Sequence, residues 1–239
     1  MIRVFETEEE VAKEIAAEMK EYLSNENPVF CLASGSTPEK SYKQFSEMIK
    51  GNSDIQKLKI VSLDEWVGIE KTSEGSCYQM LNKDLFSLVG LQEQQICFFD
   101  GTAEDLDEEC SRIDEAIKKN PITFSLMGVG MNGHIGLNEP GSKVIDYSTV
   151  VDLSEKTKEV AQKYFNQPTN LEKGITIGLK QVIDSKRVVV AITGAHKAEI
   201  VKEIFASGEK TLPAQEMLGF EHIDFYLDAA AAKHLSQNQ

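Results

Sequence analysis

A glycine-rich segment, residues 128–141, brings one imidazole and one carboxylate within five residues of each other. It reads Gly-Val-Gly-Met-Asn-Gly-His-Ile-Gly-Leu-Asn-Glu-Pro-Gly and contains His134 and Glu139. A carboxylate beside a histidine can orient the ring and set its basicity, as a general base and its orienting group require. An isolated histidine can also be purely structural. Since the chain has no Gly-x-Ser-x-Gly elbow, the pair indicates proton transfer rather than acyl transfer.

The same segment also matches the Gly-x-Gly-x-x-Gly fingerprint of dinucleotide-binding proteins. In those proteins a helix begins inside the fingerprint, and its free N–H groups hold the pyrophosphate. Here Gly136, Asn138, Pro140 and Gly141 follow closely, and glycine and proline at this density prevent a helix. We therefore expect no nicotinamide or flavin cofactor.

A second loop, Ser34-Gly35-Ser36-Thr37, has the composition of a phosphate site. It follows an apolar run that reads as a strand, and Gly35 permits a tight turn there. Thr37 is expected to cap the next helix, with Pro38 as its first residue. The hydroxyl groups of Ser34, Ser36 and Thr37, the free N–H groups and the positive end of the helix dipole would attract an anion. A plain capped turn between strand and helix is the alternative.

Charged side chains follow two other predicted strands. Asp64 and Glu65 come directly after residues 58–63, and Trp66 beside them could exclude water. Burial disfavours the ionised form of a carboxylate and raises its pKa, which suits a general base. A helix-capping or salt-bridged aspartate is the alternative. Lys197 falls near the start of a predicted helix, where a cation opposes the helix dipole unless an anion binds; a solvent-facing lysine is the other interpretation.

Segments typical of strands and of helices alternate along the chain. Strands are predicted at residues 2–5, 29–33, 58–63, 96–99, 122–127, 149–153, 174–177 and 188–193. Helices are predicted after the capping box Thr7-x-x-Glu10 and at residues 39–50, 76–89, 103–119, 154–165 and 197–207. Such alternation is typical of a parallel sheet with helices on both faces. We predict an α/β fold in which one domain, residues 1–239, forms a three-layer Rossmann-like sandwich around a mostly parallel sheet.

The composition argues against several classes of function. The net charge is −14, whereas nucleic-acid binding depends on Lys and Arg side chains that neutralise phosphates. No apolar run approaches the ~20 residues of a membrane-spanning helix, and the first residues do not resemble a signal peptide. The four cysteines have no Cys-x-x-Cys spacing, so we expect neither a metal site nor a disulfide framework. We expect a cytoplasmic protein that binds neither nucleic acid nor membrane.

Four motifs taken together resemble the glucosamine-6-phosphate deaminase family. They occur in order along nearly the whole chain: Ser34-Gly-Ser-Thr-Pro38, Asp64-Glu-Trp-Val-Gly68, the segment 128–141 and Gly194-Ala-His-Lys197. The His-Ile-Gly-Leu-Asn-Glu-Pro part of the third motif is very specific. The resemblance implies a sugar phosphate substrate, a 2-amino-2-deoxyhexose 6-phosphate that is isomerised from aldose to ketose and loses ammonia. It implies no cofactor and no metal.

The resemblance also implies roles for the candidate residues. His134, oriented by Glu139, would move the proton that opens the pyranose ring. Asp64 would take the C2 proton and return it at C1 through an enediol-type intermediate. The loop of residues 34–37 and Lys197 would hold the phosphate.

Two positions depart from the family pattern. Asn132 stands where many members have Asp; it cannot accept a proton, but it can still orient His134 by hydrogen bonding. Lys163 stands where the family usually has a substrate-binding Arg, so a point charge replaces a planar fork. These changes leave open a galactosamine-6-phosphate isomerase/deaminase and a non-catalytic sugar-phosphate sensor. A 6-phosphogluconolactonase is a further alternative, against which Asn138-Glu139-Pro140 argues.

The resemblance further bears on the organisation of the protein. The polar segment 152–170, between two predicted strands, would form a lid over the sugar, as it does in the family. We expect the protein to be a monomer or a small homo-oligomer.

Overall fold

Ten strands and nine α-helices follow one another in the computed structural model, which describes residues 1–141 and 143–235. The strands are β1 (Ile2–Phe5), β2 (Val29–Leu32), β3 (Lys59–Val61), β4 (Asp64–Trp66), β5 (Ile96–Cys97), β6 (Phe124–Gly128), β7 (Thr149–Asp152), β8 (Lys173–Thr176), β9 (Val188–Ile192) and β10 (Ile223–Asp228). The helices are α1 (Glu8–Leu23), α2 (Ser36–Met48), α3 (Cys77–Leu81), α4 (Ser87–Val89), α5 (Leu106–Lys119), α6 (Glu155–Ala161), α7 (Leu179–Ile183), α8 (Ala198–Ile204) and α9 (Pro213–Glu216). In the described part of the chain, no helix has the length and apolar character needed to cross a membrane.

Seven strands form one parallel sheet in the order β1-β10-β9-β6-β2-β3-β5. Val29 and Cys31 of β2 pack in the core on one face, where α5, α7 and α8 cover the sheet. Phe30 and Leu32 pack on the other face, where α1 and α2 cover it. This alternation follows from the two-residue period of a strand. The predicted three-layer α/β sandwich is confirmed, and β2 and β9 are buried along their whole length.

A separate antiparallel sheet of three strands, in the order β4-β8-β7, was not predicted. The strands β7 and β8 overlap predicted strands, but their pairing with each other and with β4 leaves no trace in the sequence pattern. Asp64 lies directly opposite Thr176 in this sheet. Because the pairing fixes the backbone of Asp64, this candidate base stands on a strand rather than in a loose turn.

The strand β10 was also missed, although it lies between β1 and β9 in the main sheet. Its sequence, Ile-Asp-Phe-Tyr-Leu-Asp, contains two acids that interrupt the apolar run. Asp224 is stabilised in the sheet by the N-terminal amine of Met1 at 2.7 Å and by Arg187 at 2.9 Å. Ion pairs therefore replace hydrophobic burial at this position, which is why hydrophobicity alone does not reveal the strand.

The first helix begins as predicted. Thr7 is the N-cap of α1, and its hydroxyl accepts a hydrogen bond from the N–H of Glu10 at 3.2 Å. The carboxylate of Glu10 accepts from the N–H of Glu6 at 3.0 Å, one residue before the partner expected in a capping box.

The carboxyl ends of β9, β6 and β2 lie side by side at one edge of the main sheet. Residues 193–197, 129–141 and 33–37 follow these ends, so three of the four motifs meet there. Residues 128–141, all of them described, contain no helix, as predicted from their glycine and proline content. Ligands of α/β proteins bind at this edge of the sheet, so the cavity between these loops is the expected ligand site.

Candidate active site

A cavity of about 270 Å³ opens where the loops meet. Of the predicted site residues, all but Gly35 and Glu139 line it: Ser34, Ser36, Thr37, Asp64, Asn132, His134, Lys163 and Lys197. Gly35 lies under the first turn of α2, and Glu139 is buried behind His134. The structure thus brings together residues that are up to 163 positions apart in the sequence.

Helix α2 begins earlier than predicted, because Gly35 rather than Thr37 is its N-cap. Gly35 has a φ of +100°, which glycine adopts readily, and the chain enters the helix at the next residue. Thr37 and Pro38 are consequently the second and third residues of the helix. Since Gly35 carries no capping side chain, the N–H groups of the first turn remain available to an anion. A Cβ at Gly35 would lie 2.8 Å from Tyr164 Oη, so the turn packs directly against that ring.

Three basic side chains, Lys163, His196 and Lys197, line the same cavity. Burial, aided by the charge of Lys163, lowers the pKa of Lys197 to about 8. Burial and the two neighbouring lysines also lower the pKa of His196. The ammonium group of Lys197 donates to the carbonyl of Val129 at 2.6 Å. Because the cationic forms of Lys197 and His196 are disfavoured by burial and by neighbouring positive charge, and an anion would favour them, the cluster indicates an anion site.

The adjacent acids of β4 point to opposite faces of that strand. Asp64 and Trp66 line the cavity, whereas Glu65 is fully buried on the other side. Glu65 accepts hydrogen bonds from the N–H groups of Trp66 and Cys77 at 2.9 Å and of Tyr78 at 3.0 Å. Glu65 therefore holds the start of α3, a capping role that the sequence interpretation gave to an aspartate, and Asp64 is the acid that can reach a ligand.

The environment of Asp64 suits a proton acceptor. Burial raises the pKa of its carboxyl to about 6, against the opposing effects of a hydrogen bond with the Cys77 thiol and of nearby His134. A carboxyl group with this pKa is mostly ionised at neutral pH and is a stronger base than an exposed aspartate. Burial also raises the pKa of Cys77 well above its usual value, so this thiol is not a nucleophile at neutral pH.

His134 and Glu139 are neighbours, but they are not directly hydrogen-bonded. His134 Nδ1 lies 3.7 Å from Glu139 Oε2, beyond hydrogen-bond distance. The hydroxyl of Thr157 lies between them, at 3.3 Å from His134 Nδ1 and 2.6 Å from Glu139 Oε1. The orienting role predicted for Glu139 therefore reaches the ring partly through Thr157, a residue that the sequence analysis did not identify.

Asn132 contacts Glu139 rather than the ring of His134. Its amide group donates to Glu139 Oε2 at 2.7 Å and to Ser154 Oγ at 3.2 Å. Its oxygen accepts from the backbone N–H of His134 at 3.3 Å. Burial alone would raise the pKa of Glu139, but the approach of His134 and the donors Thr157 and Asn132 outweigh it and lower the pKa to about 2. Glu139 is therefore a permanent anion behind the histidine.

Two further residues that support the site were missed. His196 carries no signal beyond its position before Lys197. Asp228 ends the unpredicted strand β10, and both of its carboxylate oxygens lie 3.0 Å from the N–H of Gly194, which holds the turn that carries His196 and Lys197. Within residues 1–141 and 143–235, no group of three His, Cys, Asp or Glu side chains is arranged as a metal site would require.

The chain is similar to characterised proteins over almost its full length. Residues 5–223 match the family described as "Glucosamine-6-phosphate isomerases/6-phosphogluconolactonase". The glucosamine-6-phosphate deaminase of Thermoanaerobacter sp. (strain X514) is 32% identical over 229 residues, 94% of this chain and 90% of that protein. The glucosamine-6-phosphate deaminase of Lactococcus lactis subsp. cremoris (strain SK11) is 34% identical over 222 residues, 92% of each. A solved monomeric glucosamine-6-phosphate deaminase has a TM-score of 0.91 and 28% identity, covering 97% of this chain and 98% of its own. The residues 5–223 that match the family include every loop that lines the cavity.

The hydrogen bonds from Trp66, Cys77 and Tyr78 to Glu65 lead to a stability prediction. In Glu65→Gln an amide NH₂ would replace one carboxylate oxygen and would face backbone N–H donors. We expect the free energy of unfolding to fall by about 1–3 kcal/mol, because buried donors lose their acceptor. Chemical denaturation measures this, with Glu70→Gln at an exposed position as the matched control. An equal effect of the two substitutions would contradict the capping role.

Proposed function

Because the chain belongs to the family of glucosamine-6-phosphate isomerases and 6-phosphogluconolactonases, we propose that it isomerises and deaminates a 2-amino-2-deoxyhexose 6-phosphate. With glucosamine 6-phosphate and water, the products are fructose 6-phosphate and ammonia. The similar proteins that carry the name glucosamine-6-phosphate deaminase support this choice within the family. The observation that carries the proposal is a partly buried base, Asp64, that shares one cavity with His134 and with the cluster of Lys163, His196 and Lys197.

The proposed reaction consists mainly of proton transfers. His134 takes the proton of the anomeric hydroxyl and delivers it to the ring oxygen, so the pyranose opens to the aldehyde. Asp64 then removes the proton from C2, and the electron pair left behind forms the enediol-type intermediate that carries the amine. Asp64 returns the proton to C1 while O1 gains a proton that the amine nitrogen loses. Water then adds to C2 of the resulting imine and expels ammonia. His134 and Asp64 line one cavity, and the pKa of Asp64 allows it to act as a base near neutral pH.

The phosphate serves as a remote anchor in this proposal. The first turn of α2, the hydroxyls of Ser34, Ser36 and Thr37, and the side chains of Lys163 and Lys197 hold it. Binding energy from a group that does not react can position C2 against the carboxylate of Asp64. A phosphate dianion beside Lys197 would raise the pKa of this lysine again, because it stabilises the charged form. The buried lysine would therefore favour an anionic substrate over a neutral one.

The organisation of the protein belongs to the same proposal. Residues 1–239 act as one amino-sugar phosphate isomerase/deaminase domain, and residues 152–170 form a lid. The support for the lid is that this segment carries α6 and contributes Lys156, Thr157, Lys163 and Tyr164 to the cavity wall. A monomer or a small homo-oligomer in the cytoplasm completes the proposal. The similar solved structure, which is monomeric, supports a monomer. The four unpaired cysteines support a location in the cytoplasm, where disulfides are rare.

The reaction is tested by ammonia release. Purified protein is assayed in parallel with glucosamine 6-phosphate and galactosamine 6-phosphate, which also decides between the two C4 epimers. In Asp64→Asn we expect kcat to fall by about 10²–10⁴-fold, because the amide cannot accept the C2 proton. Calorimetric binding of fructose 6-phosphate to Asp64→Asn confirms that the site is intact. Binding without ammonia release by the unchanged protein would contradict the proposal, and acid release from 6-phosphogluconolactone would assign the lactonase activity instead.

The pKa values of Asp64 and Lys197 predict the pH dependence of kcat/KM. The ratio should rise as the pH passes about 6, where Asp64 becomes ionised and able to accept a proton. It should fall above about 8, where Lys197 loses the charge that attracts the phosphate. In Lys197→Arg the cation persists at high pH, so the alkaline limb should move upward while the acid limb stays. The phosphate of the substrate also titrates, so the measurement is the difference between the pH profiles of the unchanged protein and of Lys197→Arg. Identical profiles would contradict the assignment of the alkaline limb to Lys197.

A steric prediction tests the position of His134. A Cβ added at Gly130 would lie 2.3 Å from Cε1 and Nε2 of His134, so the ring would have to move. We expect Gly130→Ala to lower kcat by about 10–100-fold, because a displacement of about 1 Å is enough for such a loss. Gly128→Ala, in the same segment, adds a methyl group that meets no atom within 4 Å apart from its chain neighbours, so His134 can stay in place. Because Gly128 also lines the cavity, the two variants are compared by kcat at saturating substrate, and Gly128→Ala should lose far less. Full activity of Gly130→Ala would contradict a role for His134 at its present position.

A further inference from the structure

The hydroxyl of Thr157 is the nearest hydrogen-bonding group to Nδ1 of His134. The oxygen lies 3.3 Å from Nδ1, whereas the closer carboxylate oxygen of Glu139 lies 3.7 Å away. Thr157 is the third residue of α6, and its side chain points back to Ser154, the N-cap of that helix. A residue of the proposed lid thus separates the histidine from the acid behind it.

The hydrogen bonds around Thr157 determine where its proton lies. Glu139 is ionised and can only accept, so the hydroxyl must donate its single proton to Glu139 Oε1 at 2.6 Å. The two lone pairs of the hydroxyl then face donors. One donor is the hydroxyl of Ser154 at 2.9 Å, and the other is Nδ1 of His134. All three hydrogen-bonding positions of the hydroxyl are therefore used.

This arrangement assigns the tautomer of the neutral imidazole. Nδ1 can donate to Thr157 only if it carries the ring proton, which leaves Nε2 unprotonated and able to accept. Glu139 is already occupied by other donors, since Asn132 donates to Oε2 at 2.7 Å and the N–H of Ser154 donates to Oε1 at 3.3 Å. The carboxylate therefore acts on the ring through the hydroxyl.

We propose that Thr157 is a positioning residue that relays the orienting effect of Glu139 to His134 and fixes the ring in its Nδ1–H tautomer. The inference deepens the proposed function and rests on it, because His134 needs an unprotonated Nε2 to take the proton that opens the sugar ring. The ability of His134 to act as a base through Nε2 would therefore depend on the position of α6. When α6 is displaced, the histidine loses the acceptor that selects its tautomer.

The tautomer is measured directly by ¹⁵N NMR of the imidazole nitrogens. The chain has four histidines, and loss of a signal in His134→Gln identifies the one of interest. In the unchanged protein, above the pKa of the ring, we expect the Nδ1–H form. Thr157→Ser retains the hydroxyl and should retain this tautomer. Thr157→Val has nearly the same shape but no acceptor, and the Nε2–H form should rise. An Nε2–H ring in the unchanged protein, or an unchanged tautomer in Thr157→Val, overturns the proposal.

Kinetics provide the functional half of the test. We expect Thr157→Val to lower kcat for ammonia release by about 10–100-fold with little change in KM, because His134 would act from the wrong tautomer. Thr157→Ser should restore most of the lost kcat, which a purely structural role of the methyl group would not predict. Equal kcat values for Thr157→Val and the unchanged protein overturn the proposal. If the unchanged protein releases no ammonia, the proposed function fails, while the NMR result still decides whether Thr157 fixes the tautomer.

Discussion

Burial of three carboxylates beside one cavity constrains how the surrounding elements can be arranged. A carboxylate removed from water must be given donors or must take up a proton. Glu139 has the hydroxyl of Thr157 and the amide of Asn132, and its pKa falls to about 2. Glu65 has three backbone N–H donors, yet complete burial raises its pKa to about 7. Asp64 has few donors and a pKa of about 6. The donors therefore account for Glu139 as a fixed anion, whereas access to the cavity separates the other two acids. Asp64 lines the cavity, and Glu65 is buried among backbone N–H groups away from it.

The proposed anion site lies in a protein with a net charge of −14, so it depends on positive charge close to the cavity. The first turn of α2 and the cluster of Lys163, His196 and Lys197 supply positive potential that the overall charge does not. The hydrogen bond of 2.6 Å from Lys197 to the carbonyl of Val129 connects this cluster to the glycine-rich segment that carries His134. The proposed anion site and the proposed base His134 are therefore linked through one loop.

The sequence predicted features that depend on local chemistry, and it missed features that depend on pairing in space. Apolar runs located β2, β6 and β9, and glycine and polar residues after them located the loops that build the cavity. The N-cap of α2 was placed at Thr37 because side-chain capping was weighed above the backbone freedom of Gly35. Two strands of the second sheet overlap predicted strands, but the sheet itself was missed because the antiparallel pairing of β4, β8 and β7 is a contact between distant segments. Thr157 was missed because nothing in the segment 152–170 indicates which side chain faces a histidine 23 residues earlier.

The departure at Asn132 becomes understandable once the directions of the hydrogen bonds are followed. The side-chain NH₂ of Asn132 donates to Glu139 Oε2 and to Ser154 Oγ. An ionised aspartate has no proton to donate, and its charge would lie against the charge of Glu139, so one of the two acids would be driven to take up a proton. In this chain the amide instead stabilises the ionised form of Glu139, and the accepting role toward His134 Nδ1 falls to the hydroxyl of Thr157. Asn132 and Thr157 therefore form one network around Glu139, and neither residue can be understood without the other.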